Sequence, residues 1–238
     1  MLLESSPSTV SRVMEDCGRA GIKAAVIITA GFAEVGNHEG ETEIKNVAGQ
    51  YGIRFIGPNC AGFVNSSNRL CPTLETRPPA GKVGFITQSG AVGGVFLGMA
   101  KEEGLGISKF INYGNGADLN ELDLLQYYID NPETEVVCLY MESVSDGRAF
   151  MKIACECTRK KPLIVMKSGR TSSGMRAALS HTSSLAGSDD VFDACLKQLA
   201  KGIAEASKHS DKPVLTSFLP RYLVSEAVNF LERQGIPN

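Results

Sequence analysis

The chain has 238 residues, and 24 Lys+Arg against 26 Asp+Glu leave a net charge of −2, so no long-range field is available to hold a nucleic-acid backbone or an anionic membrane. Hydrophobic residues at 43 % and charged residues at 21 % exclude a disordered chain and allow a buried core. The longest nearly apolar run, residues 24–33, is about half of the roughly 20 residues a membrane helix needs. The N-terminus lacks the basic and apolar stretches of a secretory signal, so a cytoplasmic location is expected. Seven cysteines (Cys17, Cys60, Cys71, Cys138, Cys155, Cys157 and Cys195) are scattered without a CxxC pair, which predicts reduced thiols, and no residue set is assigned to a metal.

Along the chain, short apolar runs alternate with stretches of helical period, the pattern of an α/β fold with parallel sheets. Val10, Val13, Met14 and Cys17 stand at i, i+3, i+4 and i+7 and predict a first helix. Residues 24–29 (AAVIIT) then predict a buried strand. Ile44, Val47, Ala48 and Tyr51 repeat the helical spacing, and Arg54-Phe55-Ile56 with the turn Gly57-Pro58-Asn59 forms the next strand and its exit. Residues 65–81 are rich in polar residues, Pro and Gly without a period, and read as a linker. Beyond it the alternation restarts as a second doubly wound unit. Strands are expected over 82–87, 109–112, 136–141 and 163–167, with helices starting at Gly90, near 122–129, and through Phe150, Ile153, Ala154 and Cys157. Residues 200–238 hold one more strand, 214–217, and a helix over 223–234. The reading opens on a helix with no strand before it, and both ends look cut.

An α/β fold binds its ligand at the carboxyl ends of its strands, so the turns there carry the functional signal. Gly31 and Gly36 have the spacing of a P-loop, but Asn37-His38 stands where Lys-Ser/Thr is required. Gly114 and Gly116 begin a dinucleotide fingerprint that fails at Leu119. Thr87-Gln88-Ser89-Gly90-Ala91 lies between a strand and a helix, where free amides and the helix dipole favour an anion. Ser89 also reads as a plain helix cap or as the nucleophile of a GxSxG elbow, although Thr87 and Ala91 replace both glycines of that motif. His181 sits among small hydroxyl and glycine residues, poor core and a good anion pocket, while His38 and His209 lie in polar stretches with little functional weight. Glu142, at the end of an apolar strand, is either a routine terminal charge or a carboxylate that orients an imidazole.

Five motifs occur in a recognisable order: Ile28-Thr29-Ala30-Gly31-Phe32-Ala33-Glu34, Gly57-Pro58-Asn59-Cys60, Gly84-Phe85-Ile86-Thr87-Gln88-Ser89-Gly90-Ala91, Tyr140-Met141-Glu142 and Ser180-His181-Thr182. In this the chain resembles, over about residues 8–198, the NDP-forming acyl-CoA synthetases, relatives of the succinyl-CoA synthetase α subunit. The resemblance implies an incomplete Rossmann-like CoA-binding domain over 1–66 and a linker over 67–81. A flavodoxin-like ligase domain over 82–199 and a remnant of a second flavodoxin-like domain over 200–238 would follow.

It also implies a relay in which phosphate attacks an acyl-CoA thioester, the phosphoryl group of the acyl phosphate moves to a histidine, and phosphohistidine passes it to ADP. His181 would be the phosphorylated residue and Glu142 the carboxylate that holds its tautomer. Ser89, Gly90 and Thr182 would cradle the phosphoryl group, and Thr29, Ala30, Gly31 and Asn59 would form part of the CoA-binding edge. ADP or ATP and Mg²⁺ would sit on a separate ATP-grasp β-type subunit or domain. Relatives carry glycine where Ser183 stands, and open with a strand and a glycine-rich turn that have no counterpart in this reading. A degenerate acyl-CoA-binding scaffold and an acyl hydrolase using Ser89 are the alternatives, and an incomplete third domain invites association into an oligomer.

Overall fold

The computed structural model describes residues 1–167 and the backbone of residues 215–216; the segments between and beyond, including His181 and Thr182 and the helix expected over 223–234, lie outside the described residues. A small parallel sheet of β1 (Leu2–Leu3), β2 (Ala24–Ile27) and β3 (Arg54–Ile56), in that spatial order, comes first. Leu2–Leu3 corrects the expectation of an opening helix: two residues are too short to show a period, but they pair in register with Val26 and Ile27. The helices α1 (Pro7–Arg19) and α2 (His38–Tyr51) cover one face of this sheet. Pro7 sets the backbone of the first turn of α1, and Val10, Met14 and Cys17 are its buried stripe, as their spacing predicts. Asn37 caps α2 by accepting the Gly40 amide at 3.0 Å, and Gly52 ends it in the left-handed region at φ 64°.

The second sheet has, among the described residues, six strands in the order β4 (Gly62–Asn65), β6 (Ile107–Asn112), β5 (Ala80–Thr87), β7 (Val136–Met141), β8 (Leu163–Lys167) and β9 (Leu215–Thr216). All neighbours are parallel except β4, which runs antiparallel to β6 at the edge. The first of the five parallel strands thus lies inside the sheet, between the second and the third, which is the flavodoxin-like 2-1-3-4-5 order. Crossover handedness then sends α3 (Gly90–Glu102) to one face and α4 (Glu121–Asp130) and α5 (Gly147–Lys160) to the other. Consecutive strand residues divide between the faces accordingly. Phe85, Cys138 and Tyr140 pack with Phe96 and Leu97 of α3, while Ile86, Val137, Leu139 and Met141 pack with Leu125, Tyr128 and Phe150 of α4 and α5.

The strand β4 has no counterpart in the sequence reading, and it hydrogen-bonds into the second sheet although it precedes residue 67. Likewise β9, read as part of a separate unit over 200–238, lies beside β8 in this sheet. The two sheets also share a core. Val26 and Ile56, on the face of the first sheet that its own helices leave open, pack in one cluster with Cys60, Ile111, Tyr113 and Leu124, and full burial of such side chains contributes roughly 1.5–3 kcal/mol each. Backbone bonds from Asn115 to Pro58 at 3.0 Å, Ala117 to Gly57 at 3.2 Å and Leu119 to Phe55 at 3.2 Å close the seam. Gly114 enables it: at φ 58°, a Cβ there would stand 2.3 Å from the carbonyl oxygens of both Pro58 and Asn59.

Candidate active site

The flavodoxin-like order puts its reversal of direction between β5 and β7, so the residues that leave these two strands should flank the ligand. Gln88 and Ser89 leave β5, and Glu142 and Ser143 leave β7. Gln88 joins the two exits, since its Oε1 accepts the amides of Glu142 at 2.8 Å and Ser143 at 3.1 Å and its Nε2 donates to Ser143 Oγ at 3.2 Å. Asn112, fully buried at the end of β6, donates Nδ2 to the carbonyls of Thr87 at 2.9 Å and Gln88 at 3.1 Å, while its Oδ1 accepts the Ala61 amide at 2.5 Å. The β5–α3 turn is therefore held from two sides, by the β7 exit and by Asn112 of β6.

Ser89 caps α3, its Oγ accepting the Val92 amide at 3.4 Å. That leaves the Gly90 and Ala91 amides, which by their place in the first turn have no intrahelical acceptor, at the wall of a cleft of about 540 Å³. A Cβ at Gly90 would meet only Asn112 Oδ1 at 3.5 Å and Ala61 Cβ at 3.6 Å, both ordinary contacts, so the fold itself does not demand glycine at this position.

Of the residues singled out in the sequence, Asn59, Ser89, Gly90 and Glu142 line this one cleft. Thr29, Ala30 and Gly31 form the turn after β2 and do not line it. Thr29 is buried, with its hydroxyl accepting the Ser5 amide at 3.0 Å and its carbonyl accepting the Asn59 amide at 3.0 Å. His38, given little weight above, lies at the cleft through its place in the first turn of α2. Gln88, Asn112 and Asn115 went unnoticed as site residues, yet each is a polar residue at or just beyond a strand end, which is the signal that finds them.

Asn115 spans the seam. Its Nδ2 donates to Glu34 Oε2 at 2.6 Å and to Glu41 Oε2 at 2.8 Å, and its Oδ1 accepts from Asn59 Nδ2 at 3.2 Å. Burial pushes the Glu34 carboxyl up, but the bonds from Asn115 and from the Gly31 and Phe32 amides outweigh it and hold the group below its ordinary value. Burial pushes the Cys60 thiol up to about 12, which leaves it neutral and weakly nucleophilic. Tyr113 is likewise raised, by burial first and then by the Glu121 and Glu142 carboxylates, and its hydroxyl is the one fully buried side-chain polar atom without a hydrogen-bond partner among the described residues. No group of three or more His, Cys, Asp or Glu among the described residues is placed to hold a metal ion, and no described helix is long and apolar enough to cross a membrane.

A parallel sheet in 2-1-3-4-5 order, with a cleft at its switch point and a smaller parallel α/β unit at its edge, defines a protein of the flavodoxin-like α/β class. The chain belongs to the family of the succinyl-CoA ligase like flavodoxin domain, which matches residues 80–211. It is 49 % identical over 190 residues to the ADP-forming acetate–CoA ligase of Methanocaldococcus jannaschii, a match covering 79 % of this chain and 27 % of that protein. It is 46 % identical over 192 residues to the ADP-forming acetate–CoA ligase II subunit alpha of Pyrococcus furiosus, covering 79 % of this chain and 42 % of that subunit. Among solved structures, the dinucleotide forming acetyl-coenzyme A synthetase 1 of Ca. Korarchaeum cryptofilum in complex with phosphate and ADP superimposes with a TM-score of 0.81 at 39 % identity, over 91 % of this chain and 44 % of that one. The chain spans less than half the length of each of these relatives.

Proposed function

We propose that the chain carries the coenzyme A edge and the phosphoryl-relay segment of an ADP-forming acyl-CoA synthetase. The observation that carries this reading is the meeting, in one cleft, of Asn59 from the first unit with the Ser89–Gly90 helix start and Glu142 from the second. The similarity to acetate–CoA ligases supports it. In the first step a phosphate oxygen bonds to the thioester carbonyl carbon and the C–S bond breaks, giving acyl phosphate and the CoA thiol once its sulfur takes a proton. A nitrogen of His181 then takes the phosphoryl group and the carboxylic acid leaves. In the last step ADP accepts the group and becomes ATP.

Phosphoryl transfer depends on positioning and on compensation of charge, and the residues of the cleft offer both. The Gly90 and Ala91 amides and the positive end of the α3 dipole face an incoming phosphoryl group. The absence of a side chain at Gly90, which packing does not require, keeps that approach open. Glu142 accepts one N–H of His181, leaving the other nitrogen as nucleophile. Thr182 completes the cradle, and Thr29, Ala30, Gly31 and Asn59 form the CoA edge. ADP and Mg²⁺ belong to an ATP-grasp partner, a division of labour supported by one relative being named a subunit alpha. A cytoplasmic location and association into an oligomer belong to the same reading.

Intact and peptide mass spectrometry after incubation with acetyl phosphate tests it. Expected is one acid-labile, base-stable phosphoryl group on the peptide containing His181, absent from His181→Ala. A folded wild-type chain that takes no label overturns the relay, and CoA binding without label would favour an acyl-CoA-binding module instead.

A further inference from the structure

An amide side chain has one acceptor end and one donor end, and only its neighbours decide which end points where. Asn115 has no choice. Two carboxylate oxygens, Glu34 Oε2 at 2.6 Å and Glu41 Oε2 at 2.8 Å, accept and cannot donate, so both of its N–H bonds are spoken for. The carboxylates are themselves fixed, because Glu34 also accepts the amides of Gly31 at 2.5 Å and Phe32 at 3.2 Å, and Glu41 accepts that of Ala33 at 3.4 Å. Turning Asn115 over would press its oxygen against two anions. Its Oδ1 must therefore face the other way, where it requires a donor, and Asn59 Nδ2 at 3.2 Å supplies one.

The consequence passes on to Asn59. Held in the left-handed region at φ 57°, a conformation asparagine tolerates, it has its amide nitrogen engaged and its Oδ1 without a donor among the described residues. That oxygen is not sealed from solvent, and Asn59 lines the cleft. We infer that Asn115 is a positioning residue for the ligand: locked by Glu34 and Glu41, it turns the Asn59 carboxamide so that the cleft presents a carbonyl acceptor to an N–H donor of the bound molecule. Resting on the function proposed above, that donor is an amide N–H of the pantetheine arm of coenzyme A. The two carboxylates thus act at a distance, through two amides in series, to select a donor on the ligand.

Calorimetric titration of the 238-residue chain with coenzyme A tests the inference through a double-mutant cycle, with thermal melts as the folding control. Asn115→Ala and Asn59→Ala are each expected to weaken binding by about tenfold, and the double variant no more than Asn59→Ala alone, because the first residue acts through the second. Asn115→Asp should weaken binding further by setting a third carboxylate against Glu34 and Glu41. Asn115→Asp combined with Glu34→Gln and Glu41→Gln exchanges donors and acceptors at both contacts, keeps an acceptor for Asn59, and should recover to within about threefold of wild type. This combination also serves if Asn115→Ala does not fold. Additive losses in the cycle, or wild-type affinity in Asn115→Asp, overturn the role of Asn115 while leaving CoA binding intact. A wild-type chain that binds no CoA overturns the proposed function and this inference together.

Discussion

Gln88 Oε1 accepts the backbone amide of Glu142 at 2.8 Å, so the side chain that leaves β5 sets the backbone that leaves β7. Removing that oxygen orphans the Ser143 amide as well. Gln88→Met, which preserves length, is expected to cost about 1–2 kcal/mol for half-buried amides left without a partner. It should also slow the proposed phosphorylation of His181 by about tenfold, equivalent to ~1.4 kcal/mol. Gln88→Glu retains the acceptor and should keep most of the stability, while its added negative charge at the cleft should still slow labelling. Urea denaturation and the initial rate of labelling by acetyl phosphate measure the two effects separately.

Gly90→Ala separates folding from function. The added Cβ makes only ordinary contacts at 3.5 and 3.6 Å, and alanine is the better helix former by up to about 1 kcal/mol. Thermal stability should hold or rise, while on the proposed function labelling of His181 falls at least tenfold because the methyl would occupy the phosphoryl approach. Full labelling by a folded Gly90→Ala chain would show that the phosphoryl group does not pass this helix start.

Tyr113→Phe should stabilise the chain. The ring lies in the shared core beside Cys60, Ile111 and Leu124, and its hydroxyl is buried without a partner among the described residues. Deleting an unsatisfied hydroxyl while keeping the ring removes a desolvation penalty, here about 1 kcal/mol. The midpoint of urea denaturation should move up with an unchanged slope; a lower midpoint would mean that the hydroxyl has a partner in the folded chain.

Acid should loosen the seam. The folded Glu34 carboxyl titrates below its ordinary 4.5, so near that pH the unfolded chain binds the proton more readily than the folded one. Its stabilising contribution is complete above the ordinary value and is lost as pH falls through the folded value. Melting temperatures measured across this window should decline more steeply for wild type than for Glu34→Gln, whose amide does not titrate.

Much of this architecture is legible in the residues themselves, and what is not has a physical reason. The runs at 136–141 and 163–167 are apolar throughout because both faces of β7 and β8 are buried, and their bounds agree with the structure. The helix α4 is legible near 122–129, whereas its cap, where Asn120 and Asp123 bond reciprocally, is seen only in the structure. In contrast, β4 reads GFVN beside a polar loop, and only its antiparallel pairing to β6 makes it a strand. The convergence of Asn59, Ser89 and Glu142 follows from topology once the strand order is known. The seam bonds of Asn115 do not, because its partners are 56, 74 and 81 residues away in the chain and no local pattern announces them.

The partner of β4 is β6, which is synthesised more than forty residues later, and the exit of β3, bonded locally to Thr29, takes its remaining backbone bonds from the loop that follows β6. An emerging chain therefore leaves one face of the first sheet open, with Val26 and Ile56 uncovered, until Ile111, Tyr113 and Leu124 are available to close over it. The later segment completes the earlier one: the first unit can bury its open face only after the second has supplied these residues.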